Sequence, residues 1–232
     1  MNDGLEMVRR AVMPALRPSE YTAALIQALQ MAPERACGAR VLEIGSGSGV
    51  VLAALGALGA ASLTGVDIEP DAVEAGQRLL GSMGLATIVE FIRGDLWLPV
   101  AGRRFDLIVA NLPHFPMEPV RVGDRLTTWS SGGTDGRWLL DPFIEGLPVH
   151  LAAGGRAVLT HNAFVGLERS RAVARAHGLA LETLLTMLVY IPEEKLQRMT
   201  PRVLQAEEGR SLHRYGPYAF GRMHVVEITA TG

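Results

Sequence analysis

From residue 41 onward, short apolar runs alternate with longer segments whose apolar residues recur every three to four positions. The short runs at 41–44, 63–67, 88–92, 106–110 and 156–160 predict strands, and two more follow at about 183–190 and 223–229. The longer segments at 50–59, 70–83, 138–151 and 166–177 predict helices. Turn signals separate them: Glu69-Pro70, Gly94, Pro113, Gly154-Gly155 and Gly178. Strand and helix in strict alternation imply an α/β fold, a mostly parallel seven-stranded sheet with helices on both faces and a late hairpin. Upstream, residues 5–37 read as largely helical, with breaks near Pro14 and Pro18, a start at Ser19-Glu20 and an apolar face of Leu25, Ile26 and Leu29. The expected division is an N-terminal helical segment, 1–37, capping the site of an α/β domain, 38–232.

Two segments fall outside this alternation. Residues 115–137 are rich in Gly, Arg and Thr and contain Trp129; residues 192–222 are polar and punctuated by Pro192, Pro201, Gly209 and Gly216. Loops this long in a compact domain are functional or disordered. Residues 49–66 are nearly free of polar side chains, but Gly56, Gly59, Ser62 and Thr64 interrupt them. A buried helix followed by a strand explains that stretch better than a membrane span.

Composition narrows the function. The 232 residues are 48% hydrophobic, enough for one sizeable core. The net charge of -2 and pI near 6.3 give no basic field for a polynucleotide, which makes nucleic acid the less favoured partner. Lys195 is the only lysine, a bias read first as codon usage. The single Cys37 excludes an internal disulfide and fits a reducing compartment. No thiol pair and no histidine spacing suits a metal, and Met1 to Glu6 lacks the basic and apolar regions of a signal peptide. A cytoplasmic chain with no metal is expected.

The strand Val41–Ile44 runs into Gly45, Gly47 and Gly49, and an apolar segment follows. Strand, glycine turn and helix make a nucleotide site, because glycine turns sharply and leaves room for a ligand. The dinucleotide pattern G-x-G-x-x-G fails: its third glycine would fall on Val50 or Leu52. Asp67 ends the next strand, where a carboxylate can accept two hydrogen bonds from ribose hydroxyls; its alternative is capping the helix at 70. Glu43 lies inside a buried strand and needs a partner there, a ligand or an arginine.

The pattern E-x-G-x-G-x-G resembles the first motif of class I S-adenosylmethionine-dependent methyltransferases, which implies a Rossmann-like fold and that cofactor. The resemblance assigns cofactor contacts to Glu43, Gly45, Ser46, Gly47, Gly49, Asp67, Ile68, Asp95, Leu96 and Asn111. Within it, Asp95 would accept from the adenine amino group and Glu43 would lie beneath the methionine amino group. The fourth strand ends in Asn111-Leu112-Pro113-His114-Phe115, similar to the N-P-P-Y turn of amino-group methyltransferases and to an N-L-P-Y variant of it. There the Asn oxygen and the next carbonyl accept hydrogen bonds from a planar NH2 group. Carried over, Asn111 and the Leu112 carbonyl are the acceptors and Pro113 stiffens the turn. His114 replaces the tyrosine: it can stack on a planar group or serve as a general base. Arg17-Pro18-Ser19-Glu20 and Gly132-Gly-Thr-Asp135-Gly136 are similar to two further segments of the release-factor glutamine methyltransferases, so that the resemblance covers about 14–165. Residues 1–40 are all that precede the sheet, too few for the helical substrate domain of those enzymes.

The expected activity is S-adenosylmethionine-dependent methyl transfer to a planar amino or amide nitrogen of a small molecule, peptide or protein. Asn111, Leu112, Pro113 and His114 are the catalytic candidates. Arg17, Tyr21, Phe115, Trp129 and His161 are candidate acceptor contacts, with Tyr215 and Tyr218 as further aromatic walls. Two alternatives stay open: transfer to a small metabolite's oxygen or amine with His114 as base, and a non-catalytic cofactor-binding subunit.

Overall fold

The structure, a computed structural model, describes residues 16–118, 121–122, 125–126 and 130–231. Its centre is a strand sheathed on both sides. In β1 (Arg40–Ile44), Val41, Leu42 and Ile44 are all buried. A run without polar alternation requires cover on both faces, and a parallel sheet supplies it. β2 (Ser62–Asp67) and β4 (Phe105–Ala110) flank β1 in parallel, and β3 (Val89–Arg93) lies outside β2. β7 (Leu151–Asn162) joins β4 in parallel, and β10 (Tyr218–Ala230) runs antiparallel between β7 and β8 (Leu179–Ile191). The order is β3-β2-β1-β4-β7-β10-β8, with β9 (Leu212–Tyr215) pairing β10 as an eighth strand. The chain winds outward from β1 through β3, then returns to start again at β4. Ligands of open α/β sheets bind where that reversal opens a crevice at the carboxyl ends, here between β1 and β4.

The helices are α1 (Glu20–Gln30), α2 (Val50–Ala57), α3 (Pro70–Ser82), α4 (Leu140–His150), α5 (Leu167–Ala176), α6 (Glu193–Leu196) and α7 (Pro201–Glu207). Small residues set how closely they approach the sheet. The Phe91 ring on β3 fills a notch left by Gly65 on β2 and Gly76 on α3: a Cβ on either would stand 2.6 or 2.4 Å from it. Gly49, the N-cap of α2 at φ +77°, packs against the same spot, and its Cβ would lie 2.9 Å from the Cα of Gly76. The glycine turn is thereby clamped between two helices and the sheet.

Several expectations need correction. The helix read over 5–37 stops at Gln30 within the described residues, because Pro33 drives Ala32 out of helical backbone (φ -143°) into a short 3-10 turn. Gly154-Gly155 does not separate helix from strand. β7 begins at Leu151, and its pairing with β4 slips between Phe105 and Leu107, which leaves residues 152–155 as a bulge with Gly154 at φ +73°. The 192–222 segment is not irregular; it holds α6, α7 and β9. Residues 121–122 and 125–126 pair as the small ladder β5 and β6. No helix among the described residues is long and apolar enough to cross a membrane.

Candidate active site

The glycines at 45, 47 and 49 all have positive φ (72°, 51° and 77°), which explains their alternation. The turn is closed by the Gly49 N–H donating to the Ser46 carbonyl at 2.8 Å, and it is also tied to β2. Gly45 and Ser46 both donate N–H to the Val66 carbonyl, and the Gly47 N–H donates to Asp67 at 2.8 Å. The second oxygen of Asp67 accepts from the Glu69 N–H at 2.9 Å. Asp67 is therefore not the cap of α3, which is Glu69. Burial raises the pKa of Asp67 despite these donors. Each carboxylate oxygen keeps a lone pair for a ligand hydroxyl.

These residues border a cavity of ≈ 430 Å³ at the reversal of the sheet, within the usual size of a cofactor site. Glu43 lies on its floor, 2% exposed. Among the described residues no arginine pairs with it. Its Oε2 has no hydrogen-bond partner among the described residues, and neither has the buried Oγ of Ser46. Burial, then the nearby Asp67 charge, raises the Glu43 pKa well above the carboxylate range. A wall of Gly94, Asp95 and Leu96 faces them. Leu96 is the only non-glycine described residue at positive φ (43°), strain of a kind that concentrates at ligand sites. Two polar atoms without partners among the described residues, a floor free of a Cβ at Gly47 and the remaining lone pairs of Asp67 suit a nucleoside bearing an amino acid tail.

Across the crevice stands the turn after β4. Asn111 is held at both ends: its Oδ1 accepts from Thr160 Oγ1 at 2.7 Å, and its Nδ2 donates to Thr22 Oγ1 at 3.4 Å. Its oxygen keeps one lone pair. His114 is 4% exposed, and its Nδ1 lies 2.5 Å from the Leu112 carbonyl. A carbonyl only accepts, so Nδ1 carries the hydrogen and Nε2, without a partner among the described residues, bears the lone pair. Burial pushes the His114 pKa down to about 4. The ring lies edge-on to Tyr21 at 5.7 Å. The 132–136 loop packs directly on this turn: a Cβ on Gly132 would meet the His114 Cα at 2.8 Å, and one on Gly136 its carbonyl at 2.8 Å.

Of the residues singled out from sequence, Arg17, Tyr21, Glu43, Gly45, Ser46, Gly47, Asp67, Ile68, Asp95, Leu96 and Asn111 to Phe115 all line this cavity. Gly49 does not; it serves packing. His161 does not either. It sits one residue from Thr160 and Asn162 on a strand, so it points to the opposite face, where its Nε2 meets Ser170 Oγ of α5 at 2.8 Å. Tyr215 and Tyr218 are exposed on the β9–β10 hairpin, away from the cavity. Trp129 lies outside the described residues. The Tyr21 hydroxyl proton is already engaged, donating to Asn162 Oδ1 at 2.8 Å, so this oxygen could only accept from a substrate. Sequence reasoning missed the supports Thr22, Thr160 and Asn162, and missed Lys195, whose Nζ sits 4.2 Å over the Phe115 ring at the cavity edge. The period of two along β7 could have pointed to 160 and 162 instead of 161. Among the described residues no cluster could hold a metal ion.

A glycine turn, a carboxylate closing the second strand and an amide turn at the fourth, all on one crevice, define a class I S-adenosylmethionine-dependent methyltransferase. Residues 41–127 match the family model described as "Methyltransferase domain". The fold is shared with the T. thermophilus 16S rRNA N2 G1207 methyltransferase solved with AdoMet and guanosine (TM-score 0.56, 21% identity, 91% of this chain and 43% of that one). The chain is 32% identical over 158 residues to the "Putative protein N5-glutamine methyltransferase" of Methanocaldococcus jannaschii, covering 67% of this chain and 77% of that protein. It is 37% identical over 139 residues to the release factor glutamine methyltransferase of Rhodospirillum rubrum, covering 55% of this chain but only 40% of that enzyme. The chain belongs to the protein glutamine N5-methyltransferase group of this class, and its cofactor is S-adenosylmethionine.

Proposed function

We propose that this enzyme methylates the side-chain amide nitrogen of a glutamine in a protein or peptide acceptor. The observation that carries the reading is the fixed pair of acceptors, the Asn111 Oδ1 and the Leu112 carbonyl, on the wall opposite the cofactor residues. An amide nitrogen is a weak nucleophile, and its lone pair must be aimed. Two acceptors in one plane grip both N–H bonds and stabilise the positive charge that grows on nitrogen during attack. Thr160 and Thr22 fix the Asn111 amide, so that its oxygen cannot rotate away from the acceptor. His114 orients the Leu112 carbonyl through its Nδ1–H and leaves the second lone pair of that oxygen for the substrate.

Glu43, Gly45 to Gly47, Asp67, Ile68, Asp95 and Leu96 would hold S-adenosylmethionine, which when bound supplies an electrophilic methyl on sulfonium. Asp67 would take the ribose hydroxyls and Glu43 the amino group, relieving its buried, unpartnered oxygen. Tyr21 of α1 and Arg17, just ahead of that helix, cap the site. The relatives named for glutamine methylation support the acceptor. A cytoplasmic location follows from such a substrate and agrees with the free, exposed Cys37.

The alternative in which His114 is a general base for an oxygen acceptor is not favoured. A base with a pKa of about 4, its Nδ1–H spent on Leu112, has little driving force near pH 7.

The test is transfer of tritiated methyl from S-adenosylmethionine into an extract of cells lacking this gene, with protease and nuclease controls. Protease-sensitive label that hydrolyses to N5-methylglutamine is expected. Label confined to RNA or to a small molecule would overturn the reading.

A further inference from the structure

The chain's single lysine is placed with care. α6 is bound to the acceptor side of the crevice from just behind Lys195. The Thr200 N–H donates to the Pro116 carbonyl at 2.6 Å, and its hydroxyl donates to the Thr134 carbonyl at 2.7 Å. These bonds hold the ammonium over the face of Phe115, the residue that follows the Asn111–His114 turn. The ring face attracts the cation, but it does not neutralise it. Glu20 and Glu194 lie near enough to favour the charged form, yet among the described residues neither comes within ion-pairing distance. Burial outweighs them and lowers the lysine pKa. A partly desolvated cation at a cavity edge, with no ion-pairing carboxylate among the described residues, is costly unless the ligand brings one.

We propose that Lys195 is a specificity-determining residue that binds a carboxylate of the acceptor, so that the preferred acceptor carries an acidic side chain close to the methylated amide. The cofactor also has a carboxylate. However, the residues that would hold it follow β1, β2 and β3, whereas Lys195 is bound to the segments that follow β4. This proposal rests on the glutamine reading above.

One lysine gives one side-chain lysine signal, which makes the test direct. Protein labelled with 13C-lysine and saturated with S-adenosylhomocysteine is titrated with pH. The titration is done alone and with short peptides carrying one central glutamine flanked by Glu or by Ala. The Lys195 pKa should rise by about one unit or more with the Glu peptide only, as expected for an added opposite charge. In turnover, Lys195→Met should raise KM for the Glu peptide about tenfold with kcat within about threefold, and Lys195→Arg should restore part of it. A rise already produced by S-adenosylhomocysteine alone, or equal responses to the two peptides, would overturn the proposal. If replacing the central glutamine by leucine leaves the acid-dependent rise intact, and no glutamine is ever methylated, the carboxylate site stands and the glutamine reading fails.

Discussion

The two halves of the cavity are built by opposite strategies. The half proposed for the cofactor comes from consecutive residues: Glu43 to Ser48 form its floor in one stretch, and Asp67 is bonded straight back to Gly47. The acceptor half is assembled from afar. Asn111 needs Thr160, 49 residues on, and Thr22, 89 residues back; Tyr21 needs Asn162; Phe115 needs Lys195. A site that binds one invariant small molecule can be encoded as a local motif. A site that must choose among acceptors draws on loops and termini, which can vary without disturbing that motif.

The contrast can be broken first in the local half. Gly49→Ala places a Cβ 2.9 Å from the Gly76 backbone at φ +77°, and should cost about 2–5 kcal/mol in a denaturant titration. Gly47→Ala, with nothing within 4 Å of its Cβ, should cost only the backbone strain of about 1–2 kcal/mol while narrowing the cofactor floor. If the two were equally destabilising, Gly49 would not be the packing residue described above.

Glu43→Gln offers a finer test. Its folded pKa is raised, so the folded protein holds a proton that the unfolded chain releases. Stability from this group is present below pH 4.5 and is lost as pH rises towards the folded value. The glutamine variant should therefore melt higher than the parent at neutral pH, with the difference vanishing below pH 4.5. It should also bind the cofactor more weakly, because the carboxylate proposed to take its amino group is gone.

The smallest effect concerns His114. With a folded pKa of about 4, it is neutral across the working range, so the pH–rate profile should show no limb near neutrality that His114→Gln removes. Its stability signature has the opposite sign to that of Glu43. The unfolded chain protonates near pH 6.5 and the folded one only near 4, so the protein loses stability as pH falls through that window.

How much was legible follows the same division. The sheet could be read because buried parallel strands are continuous apolar runs, and the glycine turn because positive-φ glycines leave a fixed spacing. The N-L-P-H turn was legible as a motif, but not what holds it, since Thr22, Thr160 and Asn162 look ordinary until the fold brings them together. His161 was misassigned for want of a face: the carboxyl end of a strand was identified, but not which residues of it point inward. Lys195 stood out only by its rarity, and 192–222 passed for loop because its helices are too short to show a period.

The central claim is that Asp67 serves the cofactor and Asn111 serves the acceptor. It is tested most directly by measuring S-adenosylmethionine affinity by calorimetry and single-turnover methyl transfer in Asp67→Ala and Asn111→Ala side by side. Asp67→Ala should weaken cofactor binding by about 10–100-fold, the loss of hydrogen bonds to a charged group. Asn111→Ala should leave that affinity within about threefold and slow transfer by about 100–1,000-fold, the scale of removing one fixed electrostatic contact to the transition state. Equal loss of cofactor binding in both variants would contradict the account.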